Sequence, residues 1–292
     1  MSEKLVEQLY ALIRSASTDL PSDVEAALRE AHRKEPPGTS AADTFAAILE
    51  NVEMARRDGT PICQDTGSLI FHVHHPVGLD TIAFHRAIEA AAERATKAIL
   101  LRPNAVHPLT GKNSGTNLGV NAPYVTFHAW EKTEVRVELM LKGGGSENVG
   151  TQYKLPDAAL GAGRDLKGIR KCVLDAVFKA QGMGCAPGVI GVGIGGDRAT
   201  SYLLSKEQFF RRLGSANADP ALDAFEKELH ADLNRLGIGP MGFGGLTTVL
   251  GVFAGWQHRH PATFYVAVSY MCWACRRKAM TIRDGEAFHD PA

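Results

Sequence analysis

The chain has 292 residues, of which 45% are hydrophobic and 22% charged, ordinary globular values that exclude the disordered and fibrous classes. Lys+Arg and Asp+Glu both number 32, so the basic excess of a nucleic-acid binder is missing, and no run of about 18 apolar residues suggests a membrane span. Met1-Ser2-Glu3-Lys4-Leu5 lacks a basic stretch leading into an apolar one, so a signal peptide is not expected and the expected location is cytoplasmic.

The first 60 residues read as helices. Leu5, Leu9, Leu12 and Ile13 recur at helical spacing. Ser22-Asp23-Val24-Glu25 has the form of a capping box. A third helix is expected from about Thr44, with Phe45, Ile48, Leu49 and Val52 on one face, ending near Gly59. Residues 69–74 read as a strand, and an alanine-rich helix is expected from Thr81 to Leu101, stopped by Arg102-Pro103. The runs 123–130 and 134–141 look like the arms of a hairpin. Asp165–Ala180 reads as a helix with Ile169, Val173, Val177 and Phe178 inward and Cys172 packed among them. Gly188–Ile194, Leu246–Phe253 and Thr263–Ser269 read as core strands, Phe225–Leu236 as a helix, and the polar tail after Arg283 as frayed. The fold class is α+β, with mixed sheets, an N-terminal helical region and an open sheet order.

The five cysteines are Cys63, Cys172, Cys185, Cys272 and Cys275. An odd number argues against a disulfide framework. Cys63, Cys185 and Cys272 fall in loops at strand edges, beside glycines and polar residues. Three converging thiolates suit an iron–sulfur cluster, zinc or Cu(I). A closed zinc site wants two close pairs, and only Cys272 and Cys275 form one. A cluster held by three cysteines leaves one iron open as a Lewis acid. The polar loops Asn113-Ser114-Gly115-Thr116-Asn117 and Lys142-Gly143-Gly144-Gly145-Ser146-Glu147-Asn148 offer backbone N–H groups suited to carboxylates or phosphates.

Taken together, Cys63-Gln64-Asp65-Thr66-Gly67, Leu101-Arg102, Gly115-Thr116-Asn117, Lys142-Gly143-Gly144-Gly145-Ser146, Gly184-Cys185, Arg235-Leu236-Gly237-Ile238-Gly239-Pro240 and Cys272-Trp273-Ala274 resemble the α part of the class I, iron–sulfur fumarate hydratase and L(+)-tartrate dehydratase family. The resemblance implies one catalytic domain over 1–292, helical over 1–60 and holding the cluster over 61–292. It implies a [4Fe-4S] cluster on Cys63, Cys185 and Cys272, with Cys275 as the rival to Cys272. It further implies that Gln64, Asp65, Arg102 and the backbone of Gly143 and Gly144 face a dicarboxylate, with Asp65 and His260 as catalytic residues. His258 and Arg259 compete with His260 for that assignment. The family's catalytic base comes from a β region with no match here, so a β subunit is expected, in a dimer or heterotetramer. Fumarate and (S)-malate are the expected substrates, with tartrate as the alternative and mesaconate behind it.

Two rivals remain. Gly191-Val192-Gly193-Ile194-Gly195-Gly196 fits the dinucleotide-binding pattern, with Asp219 at about the distance of the acidic partner. Its glycines equally suit close packing of a strand on the next helix, with Asp197-Arg198 as a local ion pair. A non-catalytic scaffold is the second rival.

Overall fold

The computed structural model describes residues 2–290. Among the described residues, eight α-helices and nine strands divide between two compact units. The first contains the chain up to Pro21, Asn51–Gly144, and the chain from Arg276 on; the second contains Ser22–Glu50 and Gly145–Cys275. The N-terminal helical stretch is thus shared: α1 (Glu3–Thr18) lies in the first unit, and α2 (Ser22–Lys34) with most of α3 (Ser40–Asp58) in the second. α3 starts four residues before Thr44, because the Thr39 hydroxyl caps it by accepting from Ala42 N at 3.2 Å.

The first unit is built on β1 (Ser68–His75), β2 (Tyr124–Ala129), β3 (Val135–Lys142), β8 (Arg276–Arg283) and β9 (Glu286–His289), in the order β2-β1-β3-β8-β9. Alternation directs Leu69, Phe71 and Val73 of β1, with Val137, Leu139 and Leu141 of β3, into one core. Leu9, Leu12 and Ile13 of α1 cover it, with Ala87, Ile88, Ala91 and Ala95 of α4 (Thr81–Lys97). Asp80 caps α4 through Ala83 N at 2.9 Å. Three sequence expectations change here. α4 ends at Lys97, because Ile99 enters the left-handed region at φ +61°. β2 and β3 form no hairpin; β1 lies between them, parallel to β2 and antiparallel to β3. The C-terminal tail forms β9, joined to β8 through Asp284 and Gly285 at φ +50° and +77°, the handedness a tight hairpin requires.

The second unit contains the sheet β4-β7-β5-β6, formed by β4 (Thr151–Lys154), β5 (Gly188–Gly195), β6 (Val249–Gln257) and β7 (Tyr265–Met271). β5 is parallel to β6 and antiparallel to β7. It is buried on both faces. Ile190, Val192 and Ile194 join a core with Ile169, Val173 and Val177 of α6 (Leu166–Ala180) and Phe225, Leu229 and Leu233 of α8 (Pro220–Asn234). The opposite face carries Gly191 and Gly193. A Cβ there would lie 2.0 Å from the Ser205 and Ser201 carbonyls of α7 (Arg198–Glu207), so only glycine lets that helix pack so closely. Phe178 is 57% exposed. It falls one residue, about 100° of helix, from the Val173–Val177 stripe. α8 begins earlier than expected, with Pro220 in its first turn and Asp219 accepting from Ala221 N at 2.9 Å. The α+β class with mixed sheets is as expected.

A short helix α5 (Gly144–Asn148) occupies the glycine-rich segment after β3.

Candidate functional site

In the first unit, the segment 61–67 follows α3 and is fixed at its start. Ile62 is buried, its N–H donates to Ser17 O at 3.0 Å, and its carbonyl accepts from Asn51 Nδ2 at 2.8 Å. Cys63 comes next, half-buried, then Gln64, exposed. Asp65 turns back and binds twice: Oδ1 accepts from Gly67 N at 3.1 Å and Oδ2 from Gly144 N at 2.7 Å. A Cβ on Gly143 would meet Oδ2 at 2.9 Å, so a bare backbone is what lets the carboxylate sit there. Gly67 (φ +80°) lies against Lys142, where a Cβ would approach the backbone to 2.8 Å.

Arg102 is brought to the same loop. Its N–H donates to the buried Thr66 hydroxyl at 3.0 Å, and its exposed guanidinium lies 3.5 Å from Gln64 O. Gln64, Asp65, Arg102, Gly143 and Gly144 therefore gather around the Cys63 loop within one unit. Residues whose side chains had no assigned role in the sequence reading hold them there. Asn104 Nδ2 donates to Thr66 Oγ1 and Gly67 O at 3.2 and 3.0 Å. Asn117 Nδ2 donates to Arg102 O at 2.8 Å. Arg276 Nη2 donates to Asp65 O at 2.7 Å. Thr66 and Asn117 lie inside conspicuous motifs; nothing in the sequence marked Asn104 or Arg276.

In the second unit, the antiparallel register Val189↔Met271 places Cys185, just before β5, and Cys272, just after β7, at one end of the sheet. Cys185 O accepts from Trp273 N at 3.1 Å, tying the two cysteine segments together. Gly184 and Gly188 lie on the Tyr270 ring, where Cβ atoms would come to 2.6 and 2.4 Å. Burial pushes the pKa of the Tyr270 phenol up and keeps it protonated, and negative charge at Cys272 and Cys185 pushes it the same way. Cys185 itself takes φ +56°. The Arg235–Pro240 motif is support: Met241 N donates to Ala186 O at 2.9 Å. The buried Glu35 carboxylate accepts from Leu246 N and Thr247 N at 2.8 and 3.1 Å, bracing the far side of that loop.

Cys172 is fully buried on α6, and its thiol is pushed up to about 12, by burial first and then by the charges of Asp157 and Asp175. Cys275 is 1% exposed. The half-open three are Cys63 in the first unit and Cys185 and Cys272 in the second; thiolates are soft donors of the kind that iron–sulfur clusters take. No disulfide joins the five.

His260 is not brought to Cys185 and Cys272. It is exposed in the loop between β6 and β7, its Nδ1 accepting from Ala262 N at 3.1 Å. That loop adjoins the Ile194↔Val266 end of the β5–β7 pair, five strand steps or about 17 Å from Val189↔Met271. The dinucleotide pattern also resolves differently. Gly191–Gly195 lies inside β5 rather than after it, and its bare face is filled by α7. Asp197 caps α7 through Thr200 N at 2.8 Å instead of pairing with Arg198, whose guanidinium donates to Gln152 Oε1 at 3.0 Å. Asp219 caps α8 and accepts from Trp256 Nε1 at 3.2 Å.

The comparisons with known proteins agree with the motifs. The fumarate hydratase (fumerase) family profile matches residues 6–281. A protein of Geobacillus stearothermophilus named as a class I fumarate hydratase is 51% identical over 283 residues, 96% of this chain. This chain spans about half, 55%, of that relative's length. A protein of Methanocaldococcus jannaschii named as an L(+)-tartrate dehydratase alpha subunit is 36% identical over 285 residues, covering 96% of this chain and 98% of the relative. The L(+)-tartrate dehydratase subunit alpha of Escherichia coli K12 is 30% identical over 289 residues, 98% of this chain and 93% of its own. With Cys63-Gln64-Asp65, the Gly143-Gly144 backbone and Cys272-Trp273-Ala274 all inside the matched span, the chain belongs to the fumarate hydratase family.

Proposed function

We propose that this chain is the cluster-holding α part of a hydro-lyase that interconverts fumarate and (S)-malate. The observation that carries the reading is the sorting of the cysteines: Cys63, Cys185 and Cys272 are half-open on loops, while Cys172 and Cys275 are buried. The first three are the residues that would hold a [4Fe-4S] cluster. Such a cluster, when bound through three cysteines, supplies an open iron that acts as a Lewis acid toward a hydroxyl leaving group.

The chain's own residues bind and orient. The Arg102 guanidinium takes a substrate carboxylate in a bidentate pair. Gln64, exposed beside it, donates an amide hydrogen to the dicarboxylate. Asp65, clamped by Gly144 N and Gly67 N, holds a fixed acceptor in the site. The Gly143-Gly144 backbone keeps that face free of side chains. A proton on the carbon beside the second carboxylate needs a base, and this reading takes it from a β subunit, in a dimer or a heterotetramer. His260 has no role here within its own unit. No helix among the described residues is long and apolar enough to cross a membrane, and we place the protein in the cytoplasm, where thiols stay reduced.

Tartrate dehydration is the second reading. The near-full-length match to proteins named as tartrate dehydratase alpha subunits favours it; the 51% identity to a protein named as a class I fumarate hydratase favours fumarate. One added hydroxyl separates the substrates, and a group hydrogen-bonding it would discriminate strongly.

The test is iron and acid-labile sulfide per chain after anaerobic purification, then activity with the β partner on fumarate, malate and tartrate. About four of each per chain is expected. Zinc without sulfide, or no metal after reconstitution, overturns the reading.

A further inference from the structure

Arg276 is the largest of the fully buried side chains, 1% exposed at the start of β8. A guanidinium is a permanent cation with five donors. Here one of them is used, Nη2 to the Asp65 carbonyl at 2.7 Å. Nε and Nη1 have no hydrogen-bond partner among the described residues, and each exposes less than 1 Å². No described carboxylate is within ion-pair reach of it. Lys278, two residues on along β8 and on the same face of the strand, does have one, Asp19 Oδ2 at 3.2 Å. The Asp65 carboxylate is committed to backbone N–H groups of Gly144 and Gly67.

A buried cation without an anion costs more than one hydrogen bond to a carbonyl returns. The compensating charge is therefore something other than this chain's described carboxylates. It is not a diffusing substrate either, since Nε and Nη1 are closed to solvent. Arg276 lies four residues after Cys272 in sequence and holds the carbonyl two residues after Cys63. Three thiolates outweigh the doubly positive core of a [4Fe-4S] cluster, leaving the assembly anionic.

We propose that Arg276 is the internal counter-cation of the thiolate-bound cluster, a positioning residue that holds the Cys63 loop through the Asp65 carbonyl and raises the cluster's reduction potential. The inference rests on the cluster reading above. The sign follows from electrostatics: reduction adds an electron to an anionic group, and a buried positive charge favours the more negative state.

The experiment is a redox titration of the anaerobically loaded full chain with its β partner, followed by the electron-paramagnetic signal of the reduced cluster. It compares wild type, Arg276→Lys and Arg276→Gln. Arg276→Gln is expected to shift the midpoint to lower potential, and Arg276→Lys to keep it near wild type. Equal midpoints in wild type and Arg276→Gln overturn the proposal while leaving the cluster reading intact; a wild-type chain that takes up no iron and sulfide overturns both. Where Arg276→Gln does not retain a cluster, thermal unfolding of the cluster-free Arg276→Met protein decides. A Tm unchanged or raised against cluster-free wild type supports the proposal, because an uncompensated buried cation has been removed. A Tm lowered by several degrees, or failure to fold, shows that Arg276 serves the chain itself and overturns it.

Discussion

Gly144 N–H donates to Asp65 Oδ2 at 2.7 Å although 79 residues separate them. The contact fixes the acceptor beside Cys63, and it depends on the missing side chain of Gly143, where a Cβ would come to 2.9 Å from the same oxygen. Gly143→Ala is therefore expected to displace the carboxylate without touching a cysteine. Steady-state kinetics should show kcat/KM reduced about tenfold or more, the equivalent of at least about 1.4 kcal/mol. Iron content should remain that of wild type, which distinguishes a shifted acceptor from a lost cluster.

The cysteines separate by environment, and replacing them one at a time tests that sorting. Cys63→Ser, Cys185→Ser and Cys272→Ser should each abolish cluster iron and activity. Cys172→Ala should keep both and cost about 1 kcal/mol in stability, because it deletes a buried packing atom on α6. Cys275→Ala is expected to keep its iron as well. Iron and sulfide analysis of the five purified variants checks all of this, and iron lost from Cys275→Ala but kept by Cys272→Ser would exchange the two assignments.

Gly193 marks where β5 and α7 touch, since a Cβ would lie 2.0 Å from the Ser201 carbonyl. Backbone cannot rotate out of the way as a side chain can. Gly193→Ala is expected to destabilise by about 3 kcal/mol or more, the upper end of overpacking costs. Denaturant titration measures it. A variant of wild-type stability would mean that the glycines of 191–196 serve something other than helix packing.

His72 titrates against its surroundings. Burial first, then the neighbouring His128 and His74, depress its pKa from 6.5 to about 4. Its Nδ1 lies 3.1 Å from His128 Nε2, the His74 ring stacks on His128, and Glu138 is 3.4 Å from His74. The unfolded chain binds this proton near pH 6.5 and the folded chain does not. The contribution to stability is therefore full above about pH 6.5 and is lost as pH falls toward 4, by up to about 3 kcal/mol. His72→Gln should flatten that part of the stability–pH curve, measured by urea unfolding between pH 7 and 4.

Glu35 braces the loop behind Cys185 from a distant position, and its effect should be structural. Glu35→Ala leaves the Leu246 and Thr247 N–H groups without their acceptor. A loss of about 2–3 kcal/mol is expected by denaturant titration. Glu35→Gln, which keeps one acceptor oxygen, should recover part of it.

Sequence patterning conveyed the elements better than their partners. The Leu9–Ile13 stripe and the Leu69–Val73 alternation each report a buried face, and α1 and β1 stand where those faces require. Alternation cannot say which strand lies alongside, so two neighbouring runs looked like a hairpin although β1 separates them. β9 is short, polar and at a sheet edge, where burial leaves no periodic trace; its one signal was Asp284-Gly285. Around the Cys63 loop, Cys63-Gln64-Asp65 and the glycine run were legible because they carry a thiol, polar side chains or bare backbone themselves. Asn104, Asn117 and Arg276 act on carbonyls and hydroxyls far away in sequence, and no local pattern records that. The placement of His260 was hidden for a related reason: distance along the chain from Cys272 does not reveal that a whole strand, β7, runs between them.

The order of β2-β1-β3-β8-β9 also has a consequence for synthesis. β8 is an interior strand made of residues 276–283, yet α1, made long before it, buries its apolar face in the core that Met280 of β8 helps to close. Until translation reaches that point, the β3 edge has no neighbour and the α1 stripe has an unfinished seat. The nascent chain thus carries an open strand edge and uncovered leucines from the synthesis of β3 until residues 276–283 emerge, an interval in which aggregation competes with folding and chaperones are most needed.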